Sequence, residues 1–487
     1  MSPSRLGLAI SAAFRRTMPD PFVLAILLTL LTAALALTLG FRGSSVAAGD
    51  AAGPASRAEA LLAAWRGDSG IWKLLGFSMQ MCLVLVSGHA LAAAPPIRRG
   101  LERLAALPRT TRSAAAMVGF TCCAAAVVNW GLGLIVGAVL AREVGRAFAR
   151  RGAALHYPLV CAAGYTCMMI WHGGLSGSAP LSVTTREAAA RTMPAALADR
   201  LIGEGIPLGA TLLSPLNIMV TCGLLLIVPA CLALLAPRDG ALETEAPPRG
   251  VLGDAGVPGG AGEPVRDPSG ATDAGGDSSG LPAWLERSPL LAWTLAIALA
   301  LGAARFVSVS GAMSIGLNEV NAAMIALGLV LHGSPTRWMR AVEDGASGCA
   351  GIIVQFPLYA GIMAMLLASG LVATFANAMN ALGTPRTVPV LSFLAACIIN
   401  IFIPSGGGQW AVQGPIALEA GRSLGIPAGV MVMTVAYGDQ LTNMLQPFWA
   451  IPLLAITRVK ASAIVGYTTI VMIVGGAWIV GVLLVMG

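Results

Sequence analysis

Residues 387–418 contain no Asp, Glu, Lys or Arg, and an uncharged run of this length is typical of the hydrocarbon core of a membrane. Within the run, Pro404 and Ser405 precede three consecutive glycines. Because proline lacks a backbone donor and glycine favours bends, this stretch cannot continue an ordinary membrane helix. Non-helical backbone is tolerated at membrane depth only where protein buries it or it lines a cavity. The stretch therefore predicts a broken-helix binding site in a transporter.

The composition indicates an all-α polytopic membrane protein. The chain has 487 residues, of which 56% are hydrophobic and 11% charged, and its mean hydropathy is +0.78; such values lie outside the range of soluble globular proteins. The net charge of +7 comes from arginines in short loops between apolar runs, where they act as topology signals, so nucleic acid is not an expected partner. All nine cysteines fall in apolar runs without metal-ligand spacing, and we expect them to be packing residues.

The arginine distribution predicts about nine transmembrane helices and two re-entrant hairpins. Arg5, Arg15 and Arg16 precede the first apolar run, which favours a cytoplasmic N-terminus and an uncleaved first span. The predicted spans are 21–41, 74–94, one starting near 156, 208–236, 288–304, 312–332, 345–372, 427–457 and 461–486. Basic loops flank the uncharged residues 113–141, which are too few for two full spans of roughly 20 residues each. We therefore interpret 113–141 as a hairpin that opens to the cytoplasm, and 387–424 as one that opens outward.

The chain divides into two halves. Residues 1–237 form an N-terminal membrane repeat, residues 284–487 a C-terminal one, and 238–283, rich in Gly, Pro, Asp and Ser, a disordered cytoplasmic linker. The halves resemble each other at an offset of roughly 270 positions, with Asn129 at the first hairpin tip matching Asn400. Since matched segments have opposite predicted orientations, the pattern indicates an inverted repeat with a binding site at the midplane.

Both hairpin tips and one further unwound stretch carry candidate substrate contacts. The candidates are Asn129, Trp130, Gly131, Gly174, Ser176, Gly177, Ser178, Asn400, Pro404, Ser405, Gly406, Gly407, Gly408, Gln409 and Asn443. Three glycines let backbone N–H groups approach a ligand, and a half-helix beginning near Gln409 directs its positive dipole end to the same point, so we expect an anionic ligand. The alternatives are a tight turn at the glycines, an apolar wedge at Trp130, and close helix packing by the small residues between 174 and 178.

Asp439 is an isolated acidic residue between the uncharged runs 423–438 and 440–457. A carboxylate at membrane depth costs about 2.5–3.5 kcal/mol, so it is expected to be paired, protonated or facing water. We interpret Asp439, with His172 and Gln440, as a candidate site for a coupling H⁺ or Na⁺; a Na⁺ near Asn129, Asn400 and Ser405 is a further hypothesis. The alternative is a structural polar contact of Asp439 with its neighbours. We expect no metal cofactor and no other cofactor.

Six stretches of the chain resemble the bacterial short-chain fatty acid transporter family, whose type is an acetoacetate and butyrate uptake permease. They are PDPFVLAILLTLLT, GFSMQMCLVLVSGHAL, VNWGLGLIVGAVLAREV, GGLSGSAPL, IPSGGGQWAVQGP and AYGDQLTNMLQPFWAIPLLAI. The family is similar to the ion-transporter superfamily of carboxylate carriers, which pair inverted repeats and re-entrant hairpins, often as homodimers with elevator-type movement. The linker has no counterpart in the family.

The resemblance implies a multi-pass protein of the bacterial inner membrane that takes up a small monocarboxylate with H⁺ or Na⁺ by alternating access. Its expected partners are the carboxylate, the lipid bilayer and a second copy of the chain. Another small carboxylate, such as a dicarboxylate or hydroxy acid, is the alternative substrate. A membrane enzyme with Ser405 or Ser176 as nucleophile is a remote alternative, because no nearby His or Lys in the sequence suggests an activating base.

Overall fold

The computed structural model describes residues 3–41, 54–190, 192–193, 195–237, 245–248, 251, 280–311, 317–381, 383–446 and 448–487. The elements in these ranges are all helices, and none of the described residues forms a strand. The prediction of an all-α protein is therefore confirmed. Most of the predicted linker, 238–283, lies outside the described residues.

The helices are numbered in chain order. The first half contains α1 (Pro3–Thr17), α2 (Pro21–Leu39), α3 (Pro54–Arg66), α4 (Leu75–Ala93), α5 (Pro95–Ala106), α6 (Thr111–Val128), α7 (Trp130–Arg150), α8 (Tyr157–Tyr165), α9 (Ser178–Leu181), α10 (Arg186–Ala190), α11 (Ala195–Leu201) and α12 (Pro215–Leu235). The second half contains α13 (Leu281–Arg287), α14 (Pro289–Ser310), α15 (Leu317–His332), α16 (Pro335–Ala346), α17 (Ala350–Ala368), α18 (Leu371–Asn380), α19 (Val388–Phe402), α20 (Gly406–Ser423), α21 (Ala428–Thr442), α22 (Ile451–Thr457) and α23 (Ala461–Met486).

Seven helices of the described chain are long and apolar enough to cross a membrane: α2, α4, α6, α12, α14, α17 and α23. One of them, α6, lies in the segment predicted as a hairpin, and the other six correspond to predicted spans. The bounds of α2, α4 and α23 agree to within two residues, whereas α12 starts at Pro215 and not at 208, α14 ends at Ser310 and not at 304, and α17 is shorter than the predicted 345–372. The chain is a multi-pass membrane protein. The number of nine spans and the depth at which the hairpins turn stay predictions.

The first hairpin consists of α6 and α7, which meet at Asn129, but α7 continues to Arg150 and not only to the predicted end at 141. The helix can continue beyond 141 because the charged side chains of Arg142, Glu143 and Arg146 pair with one another inside the protein. Glu143, only 2% exposed, accepts hydrogen bonds from Arg142 Nε at 3.1 Å and Arg146 Nη1 at 2.9 Å. Counting uncharged residues therefore underestimates the length of this hairpin.

The second hairpin consists of α19 and α20, which span almost the whole of the predicted 387–424. Residues 403–405 are the non-helical link between the two helices, and Ser405 N donates to Ile403 O at 2.7 Å across it. The break predicted from proline and glycine is confirmed. Asn400 lies in the last turn of α19, and the residue that caps the second helix of this hairpin, as Asn129 does in the first, is Ser405, while the match between Asn129 and Asn400 stays a prediction.

A broken helix follows each hairpin. After α8 the chain forms the 3₁₀ turns Thr166–Met169 and Trp171–Gly173, and after α21 it forms the 3₁₀ turn Asn443–Leu445. The first break lies in the stretch predicted to be unwound, and the second lies inside the predicted span 427–457. The second break precedes Pro447 in the sequence, and side chains bond to its backbone carbonyls, as Tyr165 OH donates to Asn443 O at 2.8 Å.

The helices form two packed groups. A core group contains α6–α8, α12 and α19–α23, with α1 against α12 and α23; an outer group contains α2–α4 and α14–α17. In the core group α7 crosses α8 so closely that a side chain at Gly137 would lie 2.0 Å from Gly164 O. The order of hairpin, broken helix and long helix occurs twice, ending in α12 and in α23. This repeated order supports two related halves, while their inversion stays a prediction.

Candidate functional site

Asn129 connects the two helices of the first hairpin by capping the second. Its Oδ1 accepts hydrogen bonds from Gly131 N at 3.0 Å and Leu132 N at 3.2 Å. These are donors that a helix start otherwise leaves unpaired, and Asn is among the preferred residues at this position. The side-chain oxygen of Asn129 is therefore committed to the helix and not to a ligand.

The unwound stretch between Trp171 and Ser178 wraps around this tip. Ser176 Oγ accepts a hydrogen bond from Trp130 N at 3.0 Å, and Leu175 N donates to Val127 O at 2.7 Å. Gly174 cannot be replaced without movement, because a side chain there would lie 2.5 Å from Val127 O. The structure thus joins the predicted contacts of the first hairpin with those of the unwound stretch.

The centre of the site is a row of three side chains, the buried Asp439 and His172 and the partly buried Ser178. Asp439 Oδ1 lies 3.0 Å from His172 Nδ1, and His172 Nε2 lies 3.1 Å from Ser178 Oγ. His172 and Asp439 come from the broken helices of opposite halves, 267 residues apart in sequence. Both were predicted as coupling-ion residues, and the structure brings them into direct contact.

The hydrogen bonds define the tautomer of His172. Ala179 N donates to His172 Nε2 at 3.0 Å, so this ring nitrogen is an acceptor and carries no hydrogen. The hydrogen of the neutral ring must then be on Nδ1, from which it is donated to the Asp439 carboxylate. His172 is therefore the neutral tautomer that carries its hydrogen on Nδ1 in this conformation.

Asp439 and Gln440 each retain an unused polar atom. Asp439 is 2% exposed, and its Oδ2 has no hydrogen-bond partner among the described residues. Gln440 Oε1 accepts from His172 N at 3.1 Å and Gly173 N at 3.2 Å, whereas its Nε2 has no partner in the described part of the chain. A buried carboxylate oxygen without a partner favours binding of a proton or a cation.

The tip of the second hairpin lies against this row. Gly406 is so close that an added side chain would lie 2.5 Å from Ser178 Oγ and 2.8 Å from His172 Cε1. Gly407, in contrast, faces open space, and Pro404 is buried. The hairpin therefore contributes a backbone wall to the site at Gly406 and a free edge at Gly407.

Ser405 and Gln409 have structural contacts of their own. Ser405 Oγ accepts a hydrogen bond from Gly408 N at 3.2 Å and so caps α20. Gln409 Nε2 donates to Ala396 O and to Gln413 Oε1, each at 2.9 Å. Among the described residues no His or Lys bonds to Ser405, so the hydroxyl has no base to activate it.

Asn400 and Asn443 join the second hairpin to the broken helix α21. Asn400 Nδ2 donates to Asp439 O at 2.6 Å, to Asn443 Oδ1 at 3.0 Å and to Thr442 Oγ1 at 3.1 Å. Asn400 Oδ1 is buried and unpartnered within the described chain. Of the three residues predicted near Na⁺, Asn400 alone retains a free side-chain oxygen, because Asn129 and Ser405 use theirs as helix caps.

Sequence reasoning missed two kinds of residue around the site. Asn217 Nδ2 donates to Gly173 O at 2.8 Å and thereby holds the unwound stretch. The sequence signal for this residue was a side-chain amide within the apolar run that forms α12. The other kind is aromatic and consists of Trp171 and Trp449. Trp171 stacks on His172 with a ring separation of 4.1 Å, and both Trp171 and Trp449 lie edge-on to the predicted Trp130.

Comparison with known proteins identifies the family. The family described as "Short chain fatty acid transporter" matches residues 3–486. Two relatives are provisionally named short-chain fatty acid transporters. The one from Escherichia coli (strain K12) is 36% identical over 467 residues, covering 95% of this chain and 94% of the relative. The one from Haemophilus influenzae (strain ATCC 51907 / DSM 11121 / KW20 / Rd) is 34% identical over 470 residues, covering 95% of each.

Two solved structures are also similar. The Alcanivorax borkumensis YdaH transporter has a TM-score of 0.42 and 16% identity, over 95% of this chain and 98% of that one. Neisseria gonorrhoeae MtrF, described among antimetabolite efflux pumps, has a TM-score of 0.35 and 16% identity over 97% of both chains. The matching family and the two sequence relatives are named for transport, so the interpretation as an enzyme with Ser405 or Ser176 as nucleophile is wrong. By its match over nearly the full length, the chain belongs to the short-chain fatty acid transporter family.

Proposed function

We propose that this protein takes up small monocarboxylates such as butyrate or acetoacetate across the bacterial inner membrane together with a proton. The row Asp439–His172–Ser178 at the tip of the second hairpin is the observation that carries the proposal. It joins a buried carboxylate with a free oxygen to a backbone wall at the start of a helix. The free carboxylate oxygen suits a coupling ion, and the backbone wall at the start of the helix suits an anion.

Unpaired donors support recognition of a carboxylate. In the described chain, Gly406 N and Gly407 N have no acceptor, and neither do the buried atoms Trp171 Nε1 and Gln440 Nε2. Backbone N–H groups at the start of α20 also carry the positive end of the helix dipole. These groups would satisfy a carboxylate without an arginine, which matters because an unpaired buried carboxylate is costly.

The aromatic rings beside His172 suit a short apolar tail. Trp130, Trp171 and Trp449 form a connected surface next to the row. Each buried CH₂ contributes about 0.8 kcal/mol, so the tail of a four-carbon acid contributes about 2 kcal/mol. Because this gain is small, the carboxylate contacts must provide most of the affinity.

A proton is favoured over Na⁺ as the coupling ion. Asp439 Oδ2 can accept a proton where it lies, whereas a Na⁺ site needs several oxygens and two of the three predicted ones cap helices. The arginine-rich loop that contains Arg98, Arg99 and Arg103 supports an N-terminus on the cytoplasmic side. Alternating access between the two halves would then release the acid and the proton inside.

The test is uptake of labelled butyrate and acetoacetate into proteoliposomes, with H⁺ and Na⁺ gradients imposed separately. We expect accumulation under the H⁺ gradient and its loss in Asp439→Asn, which keeps the size of the side chain but cannot take up the proton. Accumulation of neither acid under either gradient would contradict the proposal. Accumulation under the Na⁺ gradient alone would show that Na⁺ is the coupling ion. Inhibition of labelled-acid uptake by excess lactate or succinate would indicate that another carboxylate is the substrate.

A further inference from the structure

A second cavity lies away from the His172–Asp439 row, between the core group and the outer group. Its volume is about 500 Å³, and its walls come from α4, α7, α16, α17 and α22. None of the residues that line it belongs to the row of Asp439, His172 and Ser178. Asp20, Asp344 and Arg458 are found at its exposed part, and the buried Gln355 also lines it.

The arginines of α7 give one wall a partly uncompensated positive charge. Arg142 and Arg146 share a single carboxylate, that of Glu143. Arg146 also donates through Nε to Val251 O at 2.8 Å, and Arg142 Nη1 lies 3.5 Å from His89 Nδ1. Two guanidinium groups against Glu143 leave one surplus positive charge on this inner wall, where it attracts an anion, whereas Asp20 and Asp344 outnumber Arg458 at the exposed part, so that with Glu143 the cavity as a whole has no net charge.

Arg458 adds a second positive group. It is exposed, and its side chain has no ion pair or hydrogen bond among the described residues. Its backbone is left-handed, with φ 55° and ψ 28°, at the end of α22. This conformation is uncommon for a residue other than glycine, and it fixes the direction in which the chain leaves the helix beside the cavity.

Gln355 supplies a polar group that requires a partner. Its side chain is 6% exposed and lines the cavity, yet Oε1 has no hydrogen-bond partner among the described residues. This oxygen only accepts hydrogen bonds, so water or another donor in the cavity would satisfy it, and a carboxylate would not. The two carboxylates of the lining, Asp20 and Asp344, lie toward the exposed part, and Asp20 already caps α2 through Phe22 N.

We propose that this cavity is a second binding site for small carboxylate anions, formed by Arg142 and Arg146 on its inner wall and by Arg458 at its exposed part. It holds the anion before or after its passage through the His172–Asp439 site, and so it rests on the proposed function for its role in transport. Binding is weaker than at the first site, because the ligand remains in contact with solvent and salt screens the charges.

The test uses the full-length protein in lipid nanodiscs and equilibrium dialysis with labelled butyrate. We expect two bound molecules per chain in the wild type and loss of the weaker one in Arg458→Asn, since Asn tolerates the left-handed backbone. Arg458→Lys, which keeps the charge, should restore it. The matched control is Arg150→Gln, at the exposed end of the same helix as Arg142 and outside the cavity.

In proteoliposomes Arg458→Asn should raise KM about threefold with kcat unchanged, as expected for a screened charge contact. A single bound butyrate in the wild type, or an Arg458→Asn protein that binds and transports like Arg150→Gln, would overturn the proposal. If the wild type transports no acid but binds two butyrate molecules, and Arg458→Asn binds only one, the proposed function fails and the cavity site stands. If transport is normal and Arg458→Asn has no effect, the cavity site alone fails.

Discussion

At the scale of single residues, the site depends on how closely the second hairpin approaches His172. Gly406 has no room for a side chain, whereas the next residue, Gly407, has nothing within 4 Å of its Cβ position. Two neighbouring glycines in one helix turn therefore differ completely in their surroundings. This difference provides a test that keeps helix propensity the same in both variants.

We expect Gly406→Ala to reduce the initial rate of butyrate uptake about tenfold, which corresponds to roughly 1.4 kcal/mol. The added methyl group would meet Ser178 Oγ at 2.5 Å and His172 Cε1 at 2.8 Å, so the tip must move away from the row. Gly407→Ala is the control and should stay within about twofold of the wild type. Equal uptake by the two variants would contradict the described position of the tip.

The residue types of the site were accessible from sequence, but their pairing was not. Asp439 and His172 stood out as polar groups in apolar surroundings, and the sequence offered Gln440 and Asn443 as nearer partners for the carboxylate. The contact with His172 depends on two broken helices meeting from opposite halves. No local pattern specifies such a meeting, because it results from the packing of the whole core group.

At the scale of elements, the two hairpins use the same device. Asn129 caps α7 and Ser405 caps α20, and in each case a side-chain oxygen accepts hydrogen bonds from the first turn of the second helix. A cap of this kind contributes about 1 kcal/mol to stability. Both tips are thus held by their own caps in addition to tertiary contacts.

Asn129→Ala should lower the free energy of unfolding by about 1 kcal/mol, because two backbone donors of α7 lose their acceptor. Thermal unfolding of the detergent-purified protein measures the change, and Asn129→Ser should retain most of the stability. Asn377→Ala, an exposed Asn in α18, is the control for loss of an amide. An unchanged transition in Asn129→Ala would show that the cap is dispensable.

Sequence patterns predicted the second hairpin better than the broken helix after it. The run 387–418 carries proline and glycines at the break itself, so the turn was visible. The break near Asn443 is followed in the sequence by Pro447, without glycines at the break itself. It is also stabilised by distant groups, among them Tyr165 OH, which donates to Asn443 O and to Gln446 O. The local sequence therefore offers a weaker signal for this break, and it does not show the side chains that stabilise it.

At the scale of the whole molecule, aromatic rings connect the two helix groups. Phe356 of α17 stacks on Phe448 with centroids 4.0 Å apart and on Phe77 of α4 at 5.7 Å, and Phe77 lies edge-on to Trp449. Trp449 in turn contacts Trp130 at the tip of the first hairpin. A continuous ring contact therefore extends from the outer group to the site.

Phe356→Ala should lower the free energy of unfolding by about 3 kcal/mol, because it removes a ring with 0% exposure and leaves a cavity. Chemical denaturation in detergent micelles, followed by tryptophan fluorescence, measures the loss. Phe120→Ala is the control, since Phe120 is 50% exposed, and it should change stability by less than about 0.5 kcal/mol. Similar losses of stability in both variants would contradict a specific packing role of Phe356 between the two helix groups.

The free oxygen of Asp439 also has an electrical consequence. Moving one elementary charge through a membrane potential of 100 mV requires about 2.3 kcal/mol. With His172 neutral, an ionised Asp439 would give the row a single negative charge, and one proton on Oδ2 would cancel it. A monocarboxylate that enters with one proton adds no net charge, so its uptake would be electroneutral and driven by the pH difference and not by the voltage.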